Sequence, residues 1–103
     1  MSSFCRITPT ASQDIESIMD YLADQVSIET AEHFLEKINA KFKLLVKFPN
    51  IGRRRDELYP GLRSLPLADY LIFYRLILGE VEVIRVVAGY RDLQALFIEN
   101  DED

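Results

Sequence analysis

The stretch YLIFYRLILGEVEVIRVV, residues 70–87, decides the fold of this chain. Branched and aromatic residues dominate its two halves, 70–78 and 81–87, and Gly79-Glu80 separates them, which predicts two strands joined by a tight hairpin. Both faces of these strands are largely apolar, so both sides of the sheet need to be covered. Helices can cover one side, and the chain's own C-terminal segment, a second copy or a foreign segment must cover the other.

A further strand is predicted over residues 62–66, and a turn at Ala68-Asp69 separates it from the two strands that follow. The three strands are expected to form an antiparallel meander. Residues 53–61, which precede the meander, follow neither a helical nor a strand period and are interpreted as a loop.

The first half of the chain predicts a short strand over residues 4–7 and then two helices. Thr8-Pro9 provides a cap followed by proline at the first helical position, Ser27 caps the second helix, and Pro49 and Gly52 end it. The apolar stripes comprise Ile15, Ile18, Met19, Leu22 and Val26, and then Ala31, Phe34, Leu35, Ile38, Phe42, Leu45 and Phe48. Because the connection is short, the helices must form an antiparallel hairpin. The expected fold is α+β, with an N-terminal strand and this hairpin packed on a small, mainly antiparallel β-sheet.

Length and composition, 103 residues of which 49% are hydrophobic, fit one domain over residues 1–103 with a short acidic tail at 99–103. The one cysteine, Cys5, cannot form an internal disulfide, and no basic-then-apolar leader opens the chain. No apolar run approaches the roughly 20 residues that cross a bilayer. We therefore expect a soluble protein of the reducing cytoplasm that makes no membrane contact.

The net charge of −5 is distributed unevenly along the chain. All lysines lie in the first half, and every cation of the second half is an arginine, the side chain suited to planar contacts with carboxylate or phosphate. Solvated arginines and internal ion pairs are the alternative interpretation. The overall acidity argues against direct, sequence-specific binding of nucleic acid.

Several short runs, taken in order, carry a family resemblance. They are Gly61-Leu62-Arg63-Ser64-Leu65-Pro66, Tyr70-Leu71-Ile72-Phe73-Tyr74-Arg75, Val83-Ile84-Arg85-Val86-Val87 and Gly89-Tyr90-Arg91-Asp92-Leu93, together with Ile7-Thr8-Pro9 and Phe48-Pro49-Asn50-Ile51-Gly52. The chain thereby resembles the ParE-type toxins of the RelE/ParE toxin–antitoxin superfamily from about residue 4 to residue 97.

The resemblance implies the same order of strand, helical hairpin and three-stranded antiparallel sheet. It implies the toxin component of a type II toxin–antitoxin system, of the kind associated with plasmid stabilisation, neutralised by a cognate antitoxin that is ParD-like or similar. It also implies DNA gyrase as the target, which a ParE-like toxin would inhibit without catalysis and without a cofactor.

The wider superfamily includes RelE-like toxins, which are ribosome-dependent mRNA endoribonucleases. By this resemblance, Arg63 and Arg91 stand where those enzymes carry a lysine and a catalytic arginine. Leu65, Leu71 and Phe97 stand where they carry a second lysine, an arginine and a tyrosine, and none of the three can transfer a proton or hold a phosphate. Ribonuclease activity is therefore not expected. A RelE-like ribonuclease and an inactive antitoxin-binding module are kept as alternatives.

Candidate contacts with the target or the antitoxin are residues of the sheet and of the segment after it: Arg63, Arg75, Arg85, Arg91, Asp92 and Phe97. If Gly79-Glu80 forms the hairpin turn, Arg75 pairs with Ile84 and Tyr74 pairs with Arg85 across it. The two arginines then lie on opposite faces of the sheet.

The arginines on an apolar sheet need carboxylate partners. Arg85 is interpreted as a structural ion-pair residue, for which Asp69, Asp92 and the acidic tail are available partners. Arg91, in the loop after the sheet, is interpreted instead as a target contact.

No catalytic, cofactor-binding or metal-binding residue is predicted. His33 is the one histidine and lies off the apolar stripe of its helix, and one histidine cannot build a metal site by itself. Cys5 is interpreted as a small buried hydrophobe. Tyr70 and Tyr74 share a strand face and are expected to fill the core.

Overall fold

The computed structural model describes residues 5–89, 93, 96 and 97. Over these residues the chain forms two helices and five strands, in the order β1 (Cys5–Ile7), α1 (Pro9–Gln25), α2 (Ile28–Lys47), β2 (Arg53–Arg54), β3 (Arg63–Leu67), β4 (Tyr70–Ile77) and β5 (Glu80–Ala88). Neither helix combines the length and the apolar character that a membrane crossing requires, as far as the described residues go. The predicted α+β class, with a helical hairpin on a small sheet, is confirmed.

Both predicted helix caps are present. The Thr8 hydroxyl oxygen accepts a hydrogen bond from the Ala11 amide at 3.1 Å, with proline at the first helical position, and the Ser27 hydroxyl oxygen accepts from the Thr30 amide at 3.1 Å. Each hydroxyl satisfies one of the amides that a helix start leaves without an internal partner. The sequence therefore specifies where each helix begins.

The apolar stripes of α1 and α2 pack on one face of the sheet. The buried helix residues are Ala11, Ala31, Phe34, Ile38, Phe42 and Leu45, with Ile15, Ile18, Met19 and Leu22 half-buried against them. Three predicted members were wrong: Val26, Leu35 and Phe48 are exposed. Val26 and Phe48 are the residues that end the two helices, where the chain turns away from the core, and Leu35 lies at the margin of its stripe.

The sheet has the strand order β1-β5-β4-β3-β2. Strands β3, β4 and β5 form the predicted antiparallel meander, and β1 joins β5 in parallel, with Arg6 opposite Glu82. The prediction of an irregular segment over 53–61 was wrong at its start, because Arg53 and Arg54 pair with Ser64 and Arg63 as strand β2. A two-residue strand is too short to show a period in the sequence.

The predicted hairpin register between β4 and β5 was also wrong. The turn residues are Leu78 and Gly79, so that Ile77 faces Glu80 and Arg75 faces Glu82. Both turn residues have positive φ, 52° and 82°, which is the backbone of a type I′ turn with glycine at its second position.

A β-bulge then shifts the register, so that Phe73 rather than Tyr74 faces Arg85. The expectation of opposite faces for the two arginines nevertheless holds. Arg75 lies beside Phe97 on the side away from the helices, whereas Arg85 contacts a side chain of α1.

The hairpin turn predicts a stabilising substitution. Leu78 has a φ of +52° and is 99% exposed, so it accepts left-handed backbone strain without gaining any packing. Asparagine tolerates this conformation, and Leu78→Asn should raise the free energy of unfolding by about 0.5–1 kcal/mol. Thermal unfolding followed by circular dichroism would measure it, with the exposed helix residue Leu35→Asn as control. A melting temperature at or below that of the unchanged protein would contradict the prediction.

A second apolar cluster lies on the sheet face opposite the helices. Leu62, Phe73 and Val87 form it together with Leu96 and Phe97, and the rings of Phe73 and Phe97 meet edge to face at 5.1 Å. Of the three predicted covers for this face, the chain's own C-terminal segment contributes its described residues Leu93, Leu96 and Phe97.

Candidate functional site

The sequence-predicted site residues do not converge on one place. Among the described residues, Arg85 lies on the helix side of the sheet, Arg75 and Phe97 lie on the opposite side, and Arg63 lies near the end of α2. Arg91 and Asp92 lie outside the described residues. The described residues among them therefore occupy three separate places on the domain.

Arg85 and Asp14 form a buried ion pair between β5 and α1. The guanidinium donates from Nε to Asp14 Oδ2 at 2.8 Å and from Nη2 to Oδ1 at 3.1 Å, and each side chain is 15% exposed. Asp14 Oδ2 also accepts a hydrogen bond from the Val86 amide at 2.9 Å. The structural interpretation of Arg85 agrees with this contact, but its carboxylate partner is Asp14, which the sequence argument had not considered, and not Asp69.

Arg75 and Glu82 form a cross-strand ion pair on the other face of the sheet. Arg75 Nε donates to Glu82 Oε1 at 3.0 Å. The arginine borders a cavity of about 130 Å³ together with Tyr59, Ile84 and Phe97. Its charge is therefore balanced within the sheet.

Arg63 and Tyr74 together fix the segment that leaves α2. The Arg63 guanidinium donates to the carbonyl oxygens of Asn50, at 3.1 Å, and Gly52, at 2.8 Å. The hydroxyl of the fully buried Tyr74 donates to the Pro49 carbonyl oxygen at 2.7 Å and accepts from the Gly52 amide at 2.8 Å. Burial raises the pKa of Tyr74, so this hydroxyl stays protonated and available as a donor.

The close approach of Gly52 to Tyr74 predicts a destabilising substitution. A Cβ at Gly52 would lie 2.5 Å from the tyrosine oxygen and 2.9 Å from the Ser64 carbonyl oxygen, neither of which can move away freely. Gly52→Ala should lower the free energy of unfolding by about 1–3 kcal/mol. Gly89→Ala is the matched control, because its Cβ would meet only ordinary contacts from 3.5 Å outward. Equal denaturation midpoints of the two variants would contradict the predicted crowding.

Arginines of residues 53–55 make contacts that the sequence argument missed. Arg55 donates to the Ser64 hydroxyl oxygen at 3.2 Å and to Glu57 at 2.9 Å, and its guanidinium lies 5.8 Å from the centre of the Phe73 ring. The hydrogen bond from Arg55 lowers the pKa of Glu57. The signal that could have found this cluster is the run Arg53-Arg54-Arg55-Asp56-Glu57, in which three cations precede two acids.

A groove of about 400 Å³ lies between α1 and one end of the β4–β5 pair. The residues that line it are Asp14, Ser17, Ile18, Tyr21, Asp69, Tyr70, Val86, Val87 and Ala88. Sequence reasoning placed Tyr70 in the core, and it does pack there, with its ring edge to face against Phe34 at 5.4 Å. Asp14, Tyr21 and Asp69 were not predicted as site residues, because α1 and the turn before β4 are far apart in the sequence.

The side chains that could carry chemistry are held in structural or solvent-exposed positions. Burial raises the pKa of Cys5 to about 11, so its thiol stays protonated and is a poor nucleophile at neutral pH. His33 is exposed on α2. Within the described part of the chain, no group of three histidine, cysteine or carboxylate residues is placed to hold a metal ion.

The three positions at which the family resemblance would place ribonuclease catalytic residues hold side chains that are part of the packing. Leu65 is buried against the helices, Leu71 is half-buried, and Phe97 closes the second apolar cluster with 3% of its surface exposed. None of these side chains carries a titratable group. The described surface around them can pack and bind but offers no proton donor at these three positions.

Comparisons with known proteins agree with this fold. Residues 5–93 match the family described as "ParE toxin of type II toxin-antitoxin system, parDE". Toxin ParE3 of Caulobacter vibrioides is 30% identical over 88 residues, which cover 85% of this chain and 88% of that protein. A solved structure of the chromosomal ParDE toxin–antitoxin system of P. aeruginosa has the same fold, with a TM-score of 0.72 and 24% identity over 82% of this chain and 94% of that one. The chain therefore belongs to the ParE family, the toxins of type II toxin–antitoxin systems.

Proposed function

We propose that this toxin inhibits DNA gyrase by binding it, without catalysis of its own, and that a cognate antitoxin neutralises it in the cytoplasm. Membership of the ParE family supports the gyrase target. The antitoxin is supported by the solved structure of similar fold, which belongs to a protein described as a ParDE toxin–antitoxin system.

The proposal that the toxin is not a catalyst rests mainly on the packing around Phe97, on the sheet face opposite the helices. This aromatic ring packs on Phe73, and Leu65 and Leu71 lie in or beside the cores. RNA cleavage requires a group that exchanges a proton and cations that hold the developing phosphorane charge. Loss of one positioned acid–base group typically costs about 10²–10⁴ in rate, so three apolar replacements should abolish useful cleavage.

Two assays with the purified toxin test this proposal side by side. Supercoiling by purified gyrase should fall as toxin is added, and primer extension on ribosome-bound mRNA should reveal no toxin-dependent cleavage. Cleavage at the ribosomal A site with undisturbed supercoiling would establish a RelE-like ribonuclease instead. No effect in either assay would favour an inactive antitoxin-binding module.

The antitoxin partnership has its own test. Several large apolar side chains are exposed, among them Tyr21, Val26, Ile28, Phe48 and Ile51. A disordered antitoxin segment that folds on binding could cover such surface. Co-expression with the protein encoded by the adjoining reading frame should raise the soluble yield and the melting temperature. A toxin that is fully soluble and monomeric alone, and that takes up no such protein, would contradict the partnership.

Arg91 is proposed as a contact with the target, and Asp92 as a contact with the target or the antitoxin. Arg91→Ala should reduce growth inhibition while changing the free energy of unfolding by about 1 kcal/mol or less, which is usual for the loss of a single surface charge of the kind that the sequence predicts here. Arg53→Ala, which removes an exposed arginine of strand β2, is the matched control for lost charge. Full toxicity of Arg91→Ala at equal soluble expression would exclude this role.

Three of the other proposed contact residues already have partners within the fold. Arg63, Arg75 and Arg85 each hold a partner within the fold. Direct contact with gyrase or antitoxin would therefore have to use the parts of their side chains that these partners leave accessible.

A further inference from the structure

The groove between α1 and the β4–β5 pair has an apolar floor of fixed shape. Ile18 of α1 and Val86 of β5 line it, and the ring of Tyr70, which also lines it, is held by its edge-to-face contact with Phe34. Because these side chains belong to the main core, the floor does not have to form when a partner arrives.

The rim of the groove is acidic. Asp14 and Asp69 both line it, and no lysine or arginine does so among the residues that the structure describes. The oxygens of Asp14 are already taken by Arg85 and the Val86 amide. The exposed carboxylate of Asp69, by contrast, makes no hydrogen bond or ion pair with any other described residue. It is the rim charge that remains available to a partner.

An aromatic wall completes the groove. Tyr21 lines it from α1 and keeps 60% of its surface exposed. These three features match the chemistry of a lysine or arginine side chain. The aliphatic stem of such a residue lies on apolar surface, and its cationic head meets the aromatic ring and the carboxylate.

The surroundings of the groove favour the same kind of partner. From Asp14 to Glu36 the chain carries seven carboxylates and no lysine or arginine. This stretch covers most of α1 and the first half of α2, so the potential beside the groove is negative. A basic partner segment would be drawn to this side of the toxin.

We propose that the groove receives a lysine or arginine side chain from a basic, amphipathic segment of the antitoxin. This inference rests on the proposed antitoxin partnership and adds to it the place and the chemistry of the contact. Asp69 pairs with the cationic head, the ring of Tyr21 lies against that head, and the stem lies on the apolar floor.

A pair of charge reversals tests the proposal. Asp69→Lys and Glu36→Lys change the net charge equally, but only the first lies at the groove, since Glu36 is an exposed residue of α2 that does not line it. The affinity of each variant for the antitoxin encoded by the adjoining reading frame is measured by titration calorimetry. Asp69→Lys should weaken binding at least about tenfold, whereas Glu36→Lys should stay within about threefold of the unchanged toxin.

Two further measurements make the result specific. Tyr21→Ala, which alters no charge, should also weaken binding, and reversing one cationic residue of the antitoxin to glutamate should restore its affinity for Asp69→Lys. Growth inhibition by Asp69→Lys without antitoxin should be unchanged, which shows that the fold is intact.

Equal affinity of both charge variants, or equal weakening of both, would overturn the proposal. If the unchanged toxin fails to bind the antitoxin at all, the partnership itself is wrong.

Discussion

Replacement of Asp14 by alanine is expected to destabilise the fold by about 3 kcal/mol. The substitution leaves the Arg85 guanidinium 15% exposed and without its two-point carboxylate contact, and it also leaves the Val86 amide without its acceptor. A buried charge that has lost its partner costs far more than the lost contact itself, because it cannot recover its hydration. Chemical denaturation monitored by circular dichroism would measure the loss.

Asp20→Ala is the matched control for Asp14→Ala. It removes an exposed carboxylate from the same helix and should change the free energy of unfolding by no more than about 0.5 kcal/mol. Replacing Asp14 and Arg85 together by leucine should recover part of the lost stability, since no unpaired charge then remains. If Asp14→Ala and Asp20→Ala unfold at the same denaturant concentration, the ion pair does not hold α1 on the sheet.

Phe97→Ala is expected to cost about 3–5 kcal/mol, a large part of the roughly 5–15 kcal/mol that stabilises a typical domain. Phe97 is 3% exposed and closes the second cluster through its edge-to-face contact with Phe73. Its removal leaves a cavity above Phe73 and uncovers the sheet face opposite the helices. The measurement is the denaturation midpoint, together with binding of a dye that reports exposed apolar surface.

Phe48→Ala removes the same side chain from a site that is 56% exposed, and it should cost about 1 kcal/mol or less. The comparison also decides between two roles for Phe97, which the sequence indicated as a contact with the target or the antitoxin. Unchanged stability combined with lost growth inhibition would assign Phe97 to such a contact and contradict its role in the core.

The elements of this fold could be predicted from local patterns. Thr8 and Ser27 mark the helix starts through side-chain hydrogen bonds that span three residues, and the apolar period marks the buried helix faces. The three strands of the meander follow from their branched and aromatic residues. These signals are available because each depends on neighbours in the sequence.

The predictions were wrong where the structure depends on the backbone conformation of a turn or on contacts between residues far apart in the sequence. Gly79 occupies the second position of the turn, behind Leu78, whereas the sequence predicted it at the first position. This difference changed every predicted residue pair across the hairpin. The bulge beside Phe73 moved the pairing again. Asp14 and Arg85 are 71 residues apart, and no local pattern connects them. The groove with Tyr21 and Asp69 was not foreseen for the same reason.

Because the first strand, β1, pairs with the last strand, β5, the toxin can complete its fold only late in its synthesis. The Thr8 hydroxyl, which caps α1, donates to the Ile84 carbonyl oxygen 76 residues later in the chain. Contacts of such long sequence separation close late and slowly. The sheet therefore cannot be assembled while β5 is still inside the ribosome, and Phe97, which covers its far face, follows later still. A growing chain consequently has no complete sheet, and the proposed antitoxin can meet the folded toxin only after residue 97 has left the ribosome.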